Sequence, residues 1–151
     1  MIKEAEHEPR TNDLDYLYSM AKHAFKREEY KAAIKCCRKG REVAGVDLDD
    51  DWDEKFELLG VKAAKAFYKK QASLNEERGK NAEKNEKFED AIKFYQKARK
   101  FLHRSFKLGD DDSKLIDRGK KLEKKIAAVK RESGEDPEVR KLAEKYEEIG
   151  Y

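Results

Sequence analysis

Two stretches of this 151-residue chain repeat one another at a fixed offset: residues 21–45, AKHAFKREEYKAAIKCCRKGREVAG, and residues 79–103, GKNAEKNEKFEDAIKFYQKARKFLH. The matches are Lys22/Lys80, Ala24/Ala82, Lys26/Lys84, Glu28/Glu86, Ala33/Ala91, Ile34/Ile92, Lys35/Lys93, Lys39/Lys97 and Arg41/Arg99, with aromatic Tyr30 opposite aromatic Phe88. Self-similarity of this kind marks a supersecondary unit used twice. Each copy reads as a helix–turn–helix corner: a polar helix end, a turn, an aromatic, then a small residue three positions on. An aromatic at the start of the second helix fills the wedge between two antiparallel helices, and an alanine one turn later lets their backbones approach.

Composition narrows the remaining choices. Charged residues make up 46% of the chain and hydrophobic ones 38%, so a core exists but is thin, one stripe per helix. Lys and Arg total 36 against 33 Asp and Glu, a near-balance that conceals an acidic linker at residues 47–54 and a basic run at residues 114–130. No apolar run approaches a membrane span, and the first residues, MIKEAEHEPR, lack a signal-peptide core. The two cysteines are the adjacent Cys36 and Cys37, not a disulfide framework, which points to a reducing, cytoplasmic setting.

β-branched residues are sparse and no alternating apolar run survives, so the expected fold is all-α. Residues 1–12, with Pro9, read as a mobile arm. A first helix capped by Asp13 carries Leu14, Leu17, Ala21, Ala24 and Phe25. A second, from about Glu29 to Ala44, turns Tyr30, Ala33, Ile34, Cys37 and Val43 inward, with Gly45 as its C-cap. A third opens at Trp52 and runs its stripe through Phe56, Leu59, Ala63, Ala66, Phe67 and Leu74. Residues 75–87 offer only Ala82, and read as a solvated helix end or a mobile connection. The next helix shows Phe88, Ala91, Ile92, Tyr95, Ala98, Leu102 and Phe106 and closes at Gly109. After a linker at Asp110–Ser113 comes a helix with Leu115, Ile116, Gly119, Leu122, Ile126 and Val129, ending at Ser133-Gly134. The last has Asp136 as N-cap, Pro137 at its first position, and Val139, Leu142, Ala143, Tyr146 and Ile149 inward. The organisation is therefore an arm (1–12), a helical domain (13–131, built of a hairpin 13–45, a hairpin 52–108 and a helix 113–131) and a C-terminal capping helix (136–151).

The repeated corner resembles the tetratricopeptide repeat (TPR). Ala21, Tyr30, Ala33 and Cys37 fall on its pattern in the first copy, with Gly40 where alanine is usual; Gly79, Phe88, Ala91, Tyr95 and Ala98 fit it more closely in the second. The spacing between copies is longer than in that family, and its first-helix Trp and following Pro are absent. The resemblance implies a right-handed array of about six helices in antiparallel hairpins, with capping helices at the C-terminus. It also implies a ligand surface on the inner faces of the first helices: Tyr18, Lys22, Phe25 and Lys26 from one pair, Glu57, Val61, Ala64 and Lys65 from the next. Aromatic area beside ammonium groups suits an acidic or C-terminal peptide. The asparagines of a carboxylate clamp are missing at these positions.

Residues 55–131 also look like the later helices of a microtubule-interacting-and-trafficking (MIT) domain, an adaptor for membrane-remodelling machinery. That resemblance implies a short segment laid beside the third helix, along Leu115, Gly119, Leu122, Ile126 and Val129. Gly119 costs its helix about 1 kcal/mol relative to alanine, which points to close packing by another helix.

Other chemistry fits poorly. DLDDDWDE (47–54) has Trp52 where a calcium loop needs glycine and Leu58 where it needs glutamate. Cys36-Cys37 with scattered His7, His23 and His103 lacks zinc spacing, and no phosphate loop or nucleophile elbow is present. Lys114, Arg118, Lys120, Lys121, Lys124, Lys125 and Lys130 raise nucleic-acid binding as a rival, but a solvated face is the favoured account of them. The reading is a non-catalytic scaffold for a protein or peptide partner, with no cofactor or metal.

Overall fold

Three helix ends in this chain are built from the same six-residue turn. The computed structural model describes residues 10–110 and 113–133, with side chains from Asp13 onward. After Ala24, the Glu28 N–H donates to the Phe25 carbonyl (3.0 Å) and the Glu29 N–H to that of Ala24 (2.9 Å). After Ala44, Leu48 donates to Gly45 (3.2 Å) and Asp49 to Ala44 (2.9 Å); after Ala82, Glu86 donates to Glu83 (3.0 Å) and Lys87 to Ala82 (2.8 Å). These paired bonds satisfy carbonyls that a helix end would otherwise leave bare. They require a left-handed residue, and Glu28 (φ 61°), Leu48 (φ 54°) and Glu86 (φ 59°) supply it without glycine.

The turns separate five helices among the described residues: α1 (Arg10–Lys26), α2 (Tyr30–Val46), α3 (Asp50–Lys84), α4 (Phe88–Lys107) and α5 (Ser113–Ser133). The fold is all-α, with no strand among those residues. The expected arm at residues 1–9 and the capping helix at 136–151, with Val139, Leu142, Ala143, Tyr146 and Ile149, lie outside the described residues. Some boundaries move. Helix α1 already includes residues 10–12, so Asp13 sits in its first turn and does not cap it. Gly45 lies within α2, and Leu48 takes the left-handed position expected of it. Asp49 caps α3, accepting a hydrogen bond from the Trp52 N–H (3.2 Å), and Asp50, Asp51 and Asp53 follow in the first turn, where the helix dipole favours negative charge.

The chain divides into two units between Phe67 and Tyr68, inside α3. In the first, α1, α2 and the start of α3 bury Leu14, Ala21, Cys37, Ala44 and Phe56, with Ala24, Ala33 and Ala63 in an adjoining cluster. Gly40 is required here: a Cβ on it would overlap the Phe56 ring. In the second, the end of α3 with α4 and α5 buries Ala72, Ala82, Ala91, Ile92, Tyr95, Ala98, Leu102, Leu115, Leu122, Ile126 and Val129. Gly79 lets the Tyr95 ring lie flat on α3, since a Cβ at Gly79 would stand 2.5 Å from Tyr95 Cε1. The Tyr95 hydroxyl then donates to Glu83 Oε1 (2.5 Å) one turn along. Buried Asp110 fixes the loop after α4, accepting from Ser105 Oγ (3.0 Å) and pairing with Lys69 Nζ (3.1 Å).

Residues 75–84 are thus neither a solvated end nor a connection. They continue α3, and Asn75, Gly79 and Ala82 are buried. Leu74, placed on the stripe by the sequence reading, is 37% exposed, because the buried face here is made of small residues. Phe106 and Ile116 were also expected inside and are 47% and 50% exposed.

Candidate functional site

The expected inner-face residues of the first unit fall into two groups that do not share a surface. Tyr18 is half-buried and packs edge-on against Trp52 (ring centroids 5.7 Å) and Phe56 (5.5 Å). Lys22 Nζ lies 5.0 Å over the Tyr18 ring. Phe25 meets Tyr30 edge-on at 5.6 Å and carries Lys62 Nζ 5.1 Å over its face. Lys26 is exposed. These rings are spent on packing α1 against its neighbours, and the ammonium groups sit on them. On α3, Glu57 is exposed and Val61, Ala64 and Lys65 are half-buried. At 100° per residue they lie roughly 100–160° around the helix from the stripe of Trp52, Phe56 and Ala63 that faces the core. Register identifies one face per helix, and these two faces point apart.

Of the residues expected to line a groove beside the last described helix, Leu122, Ile126 and Val129 are closed into the core. Leu115 and Gly119 do line an opening, a cleft of about 670 Å³ between α4 and α5. Leu102, Leu115 and Gly119 form its floor, half-exposed Phe106 and Ile116 its apolar edges, and Arg99, Lys100, His103 and Lys120 its rim. Arg99 Nε reaches Glu123 (3.6 Å) across one end. Among the described residues a Cβ at Gly119 would meet nothing within 4 Å, and the final helix expected to pack there lies outside them. The glycine leaves the floor of the cleft low.

Phe106 and Ile116 are the residues that reading by stripe misplaced. The signal was present: α4 and α5 each carry one large apolar residue more than a narrow three-helix seam can bury, Phe106 one turn past Leu102 and Ile116 beside Leu115.

The titratable groups inside the units are structural. Burial, with Cys36 adding a smaller push, raises the Cys37 thiol to about 11. Burial first, then the hydrogen bond to Glu83, raises the Tyr95 hydroxyl. Both stay protonated at neutral pH and are closed off from solvent. Cys36 and Cys37 are free thiols. Among the described residues no cluster of His, Cys, Asp and Glu has the arrangement to hold a metal ion, and no helix is long and apolar enough to cross a membrane.

Fold and cleft together define, over the described residues, an all-α protein with an apolar-floored, basic-rimmed groove in its second unit. Protein-family models, curated proteins and solved structures offer no match to it.

Proposed function

We propose that this chain is a non-catalytic interaction module that holds a short segment of a partner protein in the cleft between α4 and α5. The observation that carries the reading is the pair of half-exposed large side chains, Phe106 and Ile116, that line one cleft together with Leu102, Leu115 and Gly119. Apolar area left open in a concave site is what a partner's side chains cover, and a polar rim fixes orientation. A volume near 670 Å³ accommodates several apolar side chains of one or two helical turns.

The duplicated corner supports kinship with tetratricopeptide hairpins. The position of the cleft, beside α5, the last described helix, supports an MIT-like mode of binding over an extended peptide spread across α1 and α3. Free thiols at Cys36 and Cys37 favour a reducing, cytoplasmic setting.

The test is selection of peptides from a displayed library, followed by amide chemical-shift mapping on the labelled protein. Enriched peptides should shift Leu102, Phe106, Ile116 and Gly119, and Ile116→Glu should weaken them about tenfold or more while leaving the circular dichroism spectrum intact. Peptides that instead shift Tyr18 and Phe25 would move the site to α1, and a library yielding no binder would refute the reading.

A further inference from the structure

The outer face of α4 carries a feature that touches the cleft only at Lys100. Between Ala91 and Gly109 the chain has six Lys or Arg residues and no Asp or Glu, although the protein as a whole is nearly balanced, at 36 to 33. Five of the six, Lys93, Lys97, Lys100, Arg104 and Lys107, follow one another at steps of four and three residues and are all exposed. Such steps hold a single helical face, so they form a straight ridge about 21 Å long, pointing directly away from the buried stripe of Ala91, Tyr95, Ala98 and Leu102. Two of the cations rest on rings beside the ridge, Lys97 on Phe94 (5.9 Å) and Arg104 on Phe101 (5.5 Å). Glu89 and Asp90, one turn before Lys93, bound its N-terminal end with opposite charge.

The lysines of α5 are different. Asp117, Glu123 and Glu132 interrupt them, Arg118 pairs with Glu76 (3.6 Å) and Lys125 with Glu83 (3.9 Å). The helix with the larger count of cations is therefore the one whose charge is locally answered. The helix that projects an unbroken positive line is α4.

We propose that the α4 ridge binds the phosphate backbone of a nucleic-acid duplex without reading its sequence. A duplex carries one phosphate charge per about 1.7 Å of its axis, so ~21 Å of it holds about twelve phosphates on both strands, of which those on the side facing the ridge come within reach. The ridge sets cations about 4.5–6 Å apart over the same length. A membrane surface is a poorer fit, because binding there draws on apolar side chains that project from the basic face, and the rings beside the ridge, Phe94 and Phe101, are partly buried. No groove-reading element accompanies the ridge, so the contact positions the duplex and carries no base specificity.

The test is fluorescence anisotropy of the full chain with a labelled DNA duplex of about two helical turns, in two unrelated sequences, over salt from about 50 to about 200 mM. Five phosphate contacts predict a slope of log K against log salt of about −4.5, the same for both sequences. Lys93→Ala/Lys100→Ala/Lys107→Ala, at positions that take no part in packing, should bring it to about −1.8. Lys120→Ala/Lys121→Ala/Lys124→Ala removes the same net charge from α5 and should leave the slope near −4.5. The proposal is overturned if the two triple variants lose slope equally, if no binding is seen at the lowest salt, or if ridge-dependent binding appears only on phosphatidylserine vesicles.

Discussion

Replacing Gly79 by alanine tests the packing that holds the second unit together. In an exposed helix interior this change stabilises by about 1 kcal/mol, because alanine loses less backbone entropy. Here the new Cβ would stand 2.5 Å from Cε1, 2.7 Å from Cδ1 and 2.9 Å from Cζ of Tyr95. The ring is fully buried, so it cannot swing into solvent, and tilting it stretches the hydrogen bond from its hydroxyl to Glu83. Overpacking of a closed core costs about 1–3 kcal/mol, and a ring held at both ends belongs at the top of that range. The expected net loss is about 2 kcal/mol. Gly119→Ala is the matched control: the same chemical change in mid-helix with open space around it should gain about 1 kcal/mol.

Urea titrations followed by circular dichroism should therefore separate the two variants by about 3 kcal/mol, roughly 1–3 M in midpoint for the usual range of m. Tyr95→Leu, which removes the flat ring edge, should cost less in the Gly79→Ala background than in the parent, with a coupling of at least about 1 kcal/mol. A Gly79→Ala midpoint at or above that of the parent would show that the ring does not lie on α3, and the account of the second core would fail with it.

Other perturbations follow from the same geometry. Glu28→Gly and Glu86→Gly each relieve a left-handed non-glycine residue and should each stabilise by about 1 kcal/mol, additively in thermal melts because they lie in different units; a loss at either site would contradict the turn geometry. Cys37 has a folded pKa of about 11 against an ordinary 9, so its contribution is fully present below pH 9 and is lost as the unfolded thiol ionises above it. The loss should reach about 2 kcal/mol by pH 11 and be absent from Cys37→Ala, with Tyr95 adding a loss of the same sign; stability that rises from pH 9 would refute the assignment. Asn75 is buried with its Oδ1 unpartnered, while its Nδ2 donates only to the Gln71 carbonyl (2.8 Å). Asn75→Leu should be neutral or stabilising by about 1 kcal/mol in urea, and a loss beyond that would show that the amide is needed.

The sequence makes helix content and turns legible because both are local: caps, periodic apolar residues and the aromatic after each corner specify them within a few positions. Legibility stops where packing is made by what is absent. The second half of α3 meets the core through Ala72, Asn75, Gly79 and Ala82, none of which raises a hydrophobic stripe, so a buried helix reads as a solvated one. The candidate site fails differently. Register gives each helix a face but not the neighbour that covers it, so Tyr18 and Val61 looked equivalent on paper while lying on divergent surfaces. Counting lysines drew attention to α5; asking where acids are missing would have drawn it to α4.

The two copies of the corner share buried Ala24/Ala82 and Ala33/Ala91 but differ at other buried positions. Ala21 and Cys37 of the first correspond to Gly79 and Tyr95 of the second, a transfer of volume from one side of the seam to the other, while Gly40 corresponds to Ala98. The turn itself says little about duplication, since the unrepeated corner at residues 44–49 has the same hydrogen bonds. What the copies keep includes Lys35/Lys93 and Lys39/Lys97, exposed positions where packing makes no demand on identity. In α2 that line stops at Glu42, and nearby Arg41 is tied to Asp53 (3.0 Å). In α4 it runs on unbroken. If the ridge is a phosphate track, Lys93→Ala/Lys97→Ala should lower the salt slope by about 1.8, and Lys35→Ala/Lys39→Ala by clearly less, because only the second copy extends the line far enough to follow a strand. Equal effects would mean that bulk charge, not the length of the α4 ridge, governs binding.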